Sequence, residues 1–245
     1  MNNTDPDQPL LSVRHLAVSY QDTPVVSDAT FNVWPHQIVA MVGPNGAGKT
    51  TILKAVAGLI RPVRGEILYQ NIPIHSLDVA DVVSLGVVYV PEGMKVFPDM
   101  SVRENLEVGA YLNRAHIPER LRLVLCLFPE LTSRMEAPAG GLSGGEKRMV
   151  TLARGLMAGA RLLLLDDPFL GLGPKVVQRF CSAFQKLRKS GVTLLIAGQH
   201  VRRILRVADL AFLIEDGSIT LQGPGPDILK NHHLRRILFG HAPKP

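Results

Sequence analysis

Cysteine is nearly absent: the 245 residues include two, Cys126 and Cys181, with no Cys-x-x-Cys pair and no histidine at metal spacing. Neither a disulfide framework nor a zinc site is indicated, and both are read as small buried hydrophobes. Long apolar runs are missing too. The richest, Leu162 to Leu165, is closed off by Arg161 and Asp166, far short of the ~18 residues a membrane helix needs. The chain is therefore not expected to span a bilayer. Met1 to Gln8 is polar, without the basic-then-apolar order of a secretory signal, and a cytosolic location is the expectation. Glycine and proline, 22 and 18 residues, stay below the share that marks low-complexity chains, which excludes disorder as the main reading. No repeat of ~20–50 residues points to a solenoid or propeller.

What is present is 46% hydrophobic, sufficient at this length for a large core in one or two domains. Net charge is +6, from 27 basic and 21 acidic residues. That balance permits attraction to nucleic acid, anionic lipid or phosphorylated ligands and selects none of them. Arg202, Arg203 and Arg206 form the densest basic group and are read as a solvated helix face; no nucleic-acid partner is expected.

The patterning predicts an α/β chain. Leu11, Val13, Leu16 and Val18 share one extended segment, Phe31 and Val33 alternate in a second, and Ile67 to Tyr69 follow Gly65 in a third. Ile38 to Val42 is a continuous apolar run of the kind buried parallel strands show, followed by a glycine-rich turn. Ile52, Leu53, Val56, Leu59 and Ile60 then recur at helical spacing. From Gly93 to Gly159 the pattern is helical, with a capping box at Ser101 and Glu104 and a second segment opened by Ile117 and Pro118. Leu162–Leu165 and Thr193–Ala197 flank a helix over 175–189, which is βαβ grammar and implies a parallel sheet. Asp216 and Gly217 mark a hairpin, and Arg235 and Arg236 lie in a short closing helix.

Gly43, Pro44, Asn45, Gly46, Ala47, Gly48, Lys49 and Thr50 match GxxxxGK[ST] between a predicted strand and a predicted helix. Glycines let backbone N–H groups curl around a phosphate, and the helix start directs its positive end at the anion. Lys49 reaches the β/γ oxygens, Thr50 offers a hydroxyl to Mg2+, and Thr51 joins the nucleotide-binding set. Asp166 ends a buried strand, where a carboxylate faces the crevice and can hold magnesium. Asp167 follows as the candidate to polarise the attacking water, or else as a cap for the loop that begins at Pro168.

Leu142, Ser143, Gly144, Gly145 and Glu146 resemble the LSGGQ signature of ABC-type ATPases; Ser143 and Glu146 also satisfy a capping box. The resemblance covers residues 10–240. Tyr20 looks like the aromatic that stacks on adenine. Tyr89 to Pro98 (YVPEGMKVFP) resembles the VPEGRRVF stretch of one branch, the second ATP-binding subunit of high-affinity branched-chain amino-acid importers, in which Glu92 replaces the Gln of other members. GLSGGEKRMVTLARGLM and LLLLDDPFLGLGP agree with that branch.

This resemblance implies a P-loop NTPase core of ABC type with an N-terminal antiparallel β subdomain and an inserted helical subdomain. Residues 1–9 are expected to be a polar extension, 10–92 and 160–230 the core, 93–159 the helical subdomain and 231–245 a tail. It further implies ATP and Mg2+ as cofactors, with Thr50, Glu92 and Asp166 at the metal and Lys49, Asp167 and Gln199 in catalysis. Two such chains, or one with a related partner, would sandwich two ATP molecules between the phosphate loop of one and the signature of the other. Partners implied are membrane permease subunits, a second ABC ATPase chain and, through the complex, a capture protein, with the chain on the cytoplasmic face of the membrane.

Two positions depart from the family. Most members have Glu at Asp167, and one methylene less withdraws the carboxylate by about 1.5 Å, so slow hydrolysis is expected. Ala197, Gly198, Gln199 and His200 align with the VEQN of the branch, which puts Gln199 at the γ-phosphate; His200 would take that place only after a one-residue register shift and is read as a surface residue. Alternatives are a nucleotide-gated subunit with little turnover, an importer subunit for urea or short amides, and an ABC ATPase acting on nucleic acid.

Overall fold

The computed structural model describes residues 8–239. The expected N-terminal extension lies outside the described residues except for its last two, and so does the tail beyond 239. The chain runs β1 (Leu11–Tyr20), β2 (Thr23–Val33), β3 (Ile38–Val42), α1 (Lys49–Val56), β4 (Arg64–Tyr69), β5 (Ile72–Pro73), α2 (Val79–Ser84) and β6 (Val87–Val90). It continues through α3 (Val102–Gly109), α4 (Ile117–Leu127), α5 (Gly144–Met157), β7 (Leu162–Asp166), α6 (Pro174–Lys189) and β8 (Thr193–Ala197). α7 (Val201–Val207), β9 (Leu210–Glu215), β10 (Ser218–Gly223), α8 (Gly225–Lys230) and α9 (His232–Phe239) complete it.

Among the described residues the strands form one ten-stranded sheet in the order β5-β4-β1-β2-β10-β9-β3-β8-β7-β6. The first four pair antiparallel, while β9, β3, β8, β7 and β6 run parallel. β10 returns antiparallel on β9 and touches β2 through Ser218 and Asp28.

The unbroken apolar runs of the parallel strands follow from burial on both faces. In β3, Ile38, Ala40 and Val42 face one hydrophobic core with α5 and α6, and Val39 and Met41 face a second with α1 and the antiparallel strands. Leu163 and Leu165 of β7 divide from Leu162 and Leu164 in the same way. Each strand thus serves two cores, and its C-terminal end is held from both sides.

Two expectations are corrected. α1 stops at Val56 and the chain turns at Gly58 with φ +74°, so Leu59 is exposed and does not extend the helical face. Cys126 is exposed, off the buried Val124 and Leu127 side of its helix, and Cys181 is half-buried at the margin of the core it packs against. β6 adds a parallel strand beside β7, from Val87 to Val90, to those the patterning indicates.

Candidate functional site

The phosphate loop leaves β3 at Gly43 and enters α1 at Lys49. At Gly43 a Cβ would lie 2.1 Å from the Ile214 carbonyl oxygen of β9, so this position admits no side chain. Gly48 precedes the helix with φ +102°, a left-handed conformation that costs glycine little. α1 carries no side-chain cap at its start, and its first-turn amides are left for an anion. The loop is held from outside by the β9–β10 turn: the Gly217 N–H donates to the Ala47 carbonyl at 3.2 Å, and the Gly217 carbonyl accepts from the Ser27 N–H at 3.0 Å.

Lys49 is buried, and its ammonium donates to the carbonyls of Gly43 (2.9 Å) and Pro44 (2.7 Å). Burial lowers its pKa, with Asp167 and Asp166 opposing that shift. Thr50 Oγ1 donates to Asp166 Oδ1 at 3.0 Å, and the Tyr89 hydroxyl of β6 donates to Asp166 Oδ2 at 2.8 Å. Burial and Asp166 push the Tyr89 phenol well above its usual range, which keeps it a neutral donor. Asp166 is 4% exposed, and among the described residues its carboxylate forms no ion pair. A buried carboxylate beside two hydroxyls and without a paired cation suits a hard divalent ion that takes oxygen ligands.

Asp167 is equally buried and adopts φ +39°. Its N–H donates to the Ala197 carbonyl at 2.8 Å, and its Oδ1 accepts a long 3.5 Å bond from the Gln199 N–H. Burial raises its pKa, against the Gln199 N–H, His200 and Lys49.

A cavity of about 280 Å3 lies over these groups, lined by Asn45 to Thr51 and by Glu92, Asp166, Asp167 and Gln199, together with Val25 and Gly198. It gathers the catalytic and metal sets expected from sequence. Gly43 and Pro44 contribute carbonyls to Lys49 from behind it. Tyr20 lies at the end of β1, 43% exposed, and does not line the cavity. Gln199 enters the lining while His200 does not, and His200 is half-buried, so its surface reading is corrected. Its ring packs edge-on to Phe169 at 6.1 Å.

Ser143 to Glu146 stand apart from the cavity, at the start of α5. Both halves of the capping box form: Ser143 Oγ accepts from the Glu146 N–H, and Glu146 Oε2 accepts from the Ser143 N–H at 2.9 Å. The link between this helix and the cavity is Arg148, buried on α5. Its guanidinium donates to the carbonyls of Pro91, Gly93, Asp166, Asp167 and Pro168. Tyr89 and Arg148 were missed as site residues. The VVYV run before Pro91 carries the signal of a buried parallel strand, whereas nothing in sequence distinguishes Arg148 from an exposed helix arginine.

The family model described as ABC transporter matches residues 26–170. The high-affinity branched-chain amino acid transport ATP-binding protein BraG of Pseudomonas aeruginosa is 34% identical over 232 residues, spanning 94% of this chain and 100% of that protein. The lipopolysaccharide export system ATP-binding protein LptB of Haemophilus influenzae is 33% identical over 234 residues, 94% of this chain and 97% of its own. Among solved structures, the ADP conformation of an ATP-binding cassette of an ABC transporter matches with a TM-score of 0.84 at 22% identity, covering 96% of this chain and 100% of that one. With the family model spanning more than half of the chain and a relative above 30% identity along nearly all of it, this chain belongs to the ABC transporter family, whose ATP-binding cassettes hydrolyse ATP to power transport.

Proposed function

We propose that this cassette is the ATP-hydrolysing subunit of an importer for branched-chain amino acids, attached to permease subunits at the cytoplasmic face of the membrane. The observation that carries the hydrolytic reading is the single cavity holding Lys49, Thr50, Asp166, Asp167 and Gln199 beside the phosphate loop. The loop amides and Lys49 bind the phosphates. Thr50 and Asp166, with Glu92 at the rim, would hold Mg2+, which supplies charge neutralisation on the phosphate oxygens. Asp167 receives the proton of the attacking water, and Gln199 donates to the γ-phosphate oxygens. The signature at Ser143 completes the site of a second chain, related or identical, because it lies away from this chain's own cavity. The core, 10–92 and 160–230, and the helical unit, 93–159, transmit nucleotide state through Glu92 to Pro98, where a permease loop docks. A capture protein supplies the cargo through the complex.

The test is phosphate release from Mg·ATP by the purified chain beside Lys49→Ala and Asp167→Glu. Wild-type turnover above the Lys49→Ala background is expected. Silence of the wild type with turnover by Asp167→Glu would instead mark a nucleotide-gated subunit that relies on its partner's site. For the cargo, the support is the similarity to BraG and the YVPEGMKVFP stretch. LptB is nearly as similar, so the deciding assay is uptake of labelled leucine, isoleucine and valine by cells with and without this chain. Unchanged uptake sinks the amino-acid reading.

A further inference from the structure

His200 does not line the nucleotide cavity, yet it stands against the residue read as the catalytic carboxylate. Its Nδ1 is 3.8 Å from Asp167 Oδ1, too long for a hydrogen bond, and this atom is buried with no hydrogen-bond partner among the described residues. A buried ring nitrogen without a partner is costly. Asp167 is no better supplied on this side: among the described residues its Oδ1 accepts only the 3.5 Å contact from the Gln199 N–H. The two under-satisfied atoms face each other. Phe169 fixes the ring edge-on, and His200 occupies the N-cap position of α7, so its backbone is set by the helix. Gly198 keeps space beside the carboxylate: a Cβ there would press to 3.3 Å from Asp167 Oδ1 and 2.7 Å from Ile204 Cδ1. A shortening of about 0.9 Å, within reach of small side-chain rotations, makes a normal hydrogen bond, and catalytic hydrogen bonds commonly tighten only with substrate in place.

We propose that His200 is a positioning residue for Asp167, its Nδ1–H donating to Oδ1 and holding the short carboxylate toward the attacking water. The proposal rests on the reading of Asp167 as the catalytic carboxylate. It gives the histidine a role that acts through Asp167 and leaves the γ-phosphate contact to Gln199. An aspartate hung on one long backbone contact samples several orientations, and a second donor on the same oxygen narrows them without occupying Oδ2.

The experiment is a kinetic cycle on the full chain with Mg·ATP: His200→Ala, His200→Asn, His200→Gln, Asp167→Asn and the His200→Ala/Asp167→Asn double variant. His200→Ala is expected to lower kcat about tenfold or more, as loss of an orienting partner does, with KM within about twofold. Asn carries its amide nitrogen at the δ position and restores most of the rate; Gln, with its nitrogen one bond further out, does not. In the Asp167→Asn background the His200→Ala change costs nothing further, since a residue acting through Asp167 has nothing left to act on. An unchanged kcat in His200→Ala, or an equal loss in both backgrounds, overturns the proposal. If Asp167→Asn turns over at the wild-type rate, the reading of Asp167 itself fails, a distinguishable result. Should turnover be too slow to resolve, an imidazole nitrogen spectrum of the full chain at about pH 8, where an ordinary histidine is neutral, decides the matter. A proton on His200 Nδ1 is expected, and a bare Nδ1 overturns the proposal.

Discussion

At Asp167 the backbone is left-handed, φ +39°, and asparagine and aspartate visit that region more readily than other side chains. This offers a local reason for a short carboxylate at this position. Asp167→Glu is expected to set reach against strain. It brings the carboxylate toward the water and raises kcat, while the less suitable backbone costs about 0.5–1 kcal/mol, lowering the thermal midpoint by roughly 2 °C. Phosphate release and a melting curve on the same preparation check both halves, and an Asp167→Glu variant no faster than wild type rejects the slow-site reading. Lys49→Ala removes the one ammonium in the cavity lining and is expected to reduce turnover to background. Its burial and its two carbonyl partners come from the loop it serves, so the fold should survive, as a circular-dichroism spectrum would show.

Among the elements, α5 carries the most consequence, because its start presents the signature and its second turn holds the site together. Arg148 satisfies carbonyls from the segment after β6 and from the end of β7 at once. Burial alone depresses its pKa, but it stays charged, as guanidinium always does. Arg148→Met strips several buried carbonyls of their donor and is expected to cost about 3 kcal/mol or more, a fall of roughly 6–12 °C in thermal midpoint. Arg148→Lys loses the planar fork and should fall between Met and wild type. The cap of α5 gives a pH prediction. Hydrogen bonds from the Ser143 hydroxyl and N–H, then Arg134, hold the Glu146 carboxyl below its usual range. A depressed carboxylate adds stability above its unfolded value near 4.5 and loses it as pH falls through the folded value. Glu146→Gln should therefore lower the urea midpoint at pH 7, and the difference from wild type should shrink as pH falls below about 4.5; a difference that does not change with pH would reject the ionic contribution. Packing of α3 on α5 depends on Gly109, where a Cβ would sit 2.2 Å from the Arg154 carbonyl oxygen. Enlarging that position should part the two helices.

For the whole molecule, the phosphate loop and the signature lie on different parts of one chain, so turnover should require two chains. An Asp167→Asn variant is expected to dimerise with ATP in light scattering, and Ser143→Arg to stay monomeric while still binding nucleotide. Equal dimerisation by both would count against the composite site. Phe97 is exposed under the Arg154 guanidinium, and Met94 is exposed against the Gly144 position, so the segment after β6 presents side chains outward. Charge reversal at Lys95 should uncouple transport while sparing nucleotide binding; equal loss of both would reject the docking place.

Much of this was legible in the chain because the relevant information is local. GxxxxGKT between an apolar run and a helical period specifies a phosphate cradle, since the loop, helix start and lysine lie within eight consecutive residues. The capping boxes at Ser101 and Ser143 each span four residues and formed as read. Sequence by itself thus determined the parallel α/β core and the phosphate loop, along with the resemblance that led to the ABC family. What only the tertiary structure decided are relations across distance. Tyr89 reaches Asp166 because β6 pairs with β7, and Arg148 finds its carbonyls because α5 lies across two strand ends. His200 faces Asp167 because β8 lies beside β7. These contacts join residues 18 to 77 positions apart, and no periodicity encodes which strand end will meet which helix; that follows from the register of neighbouring strands and the packing of two cores on one sheet.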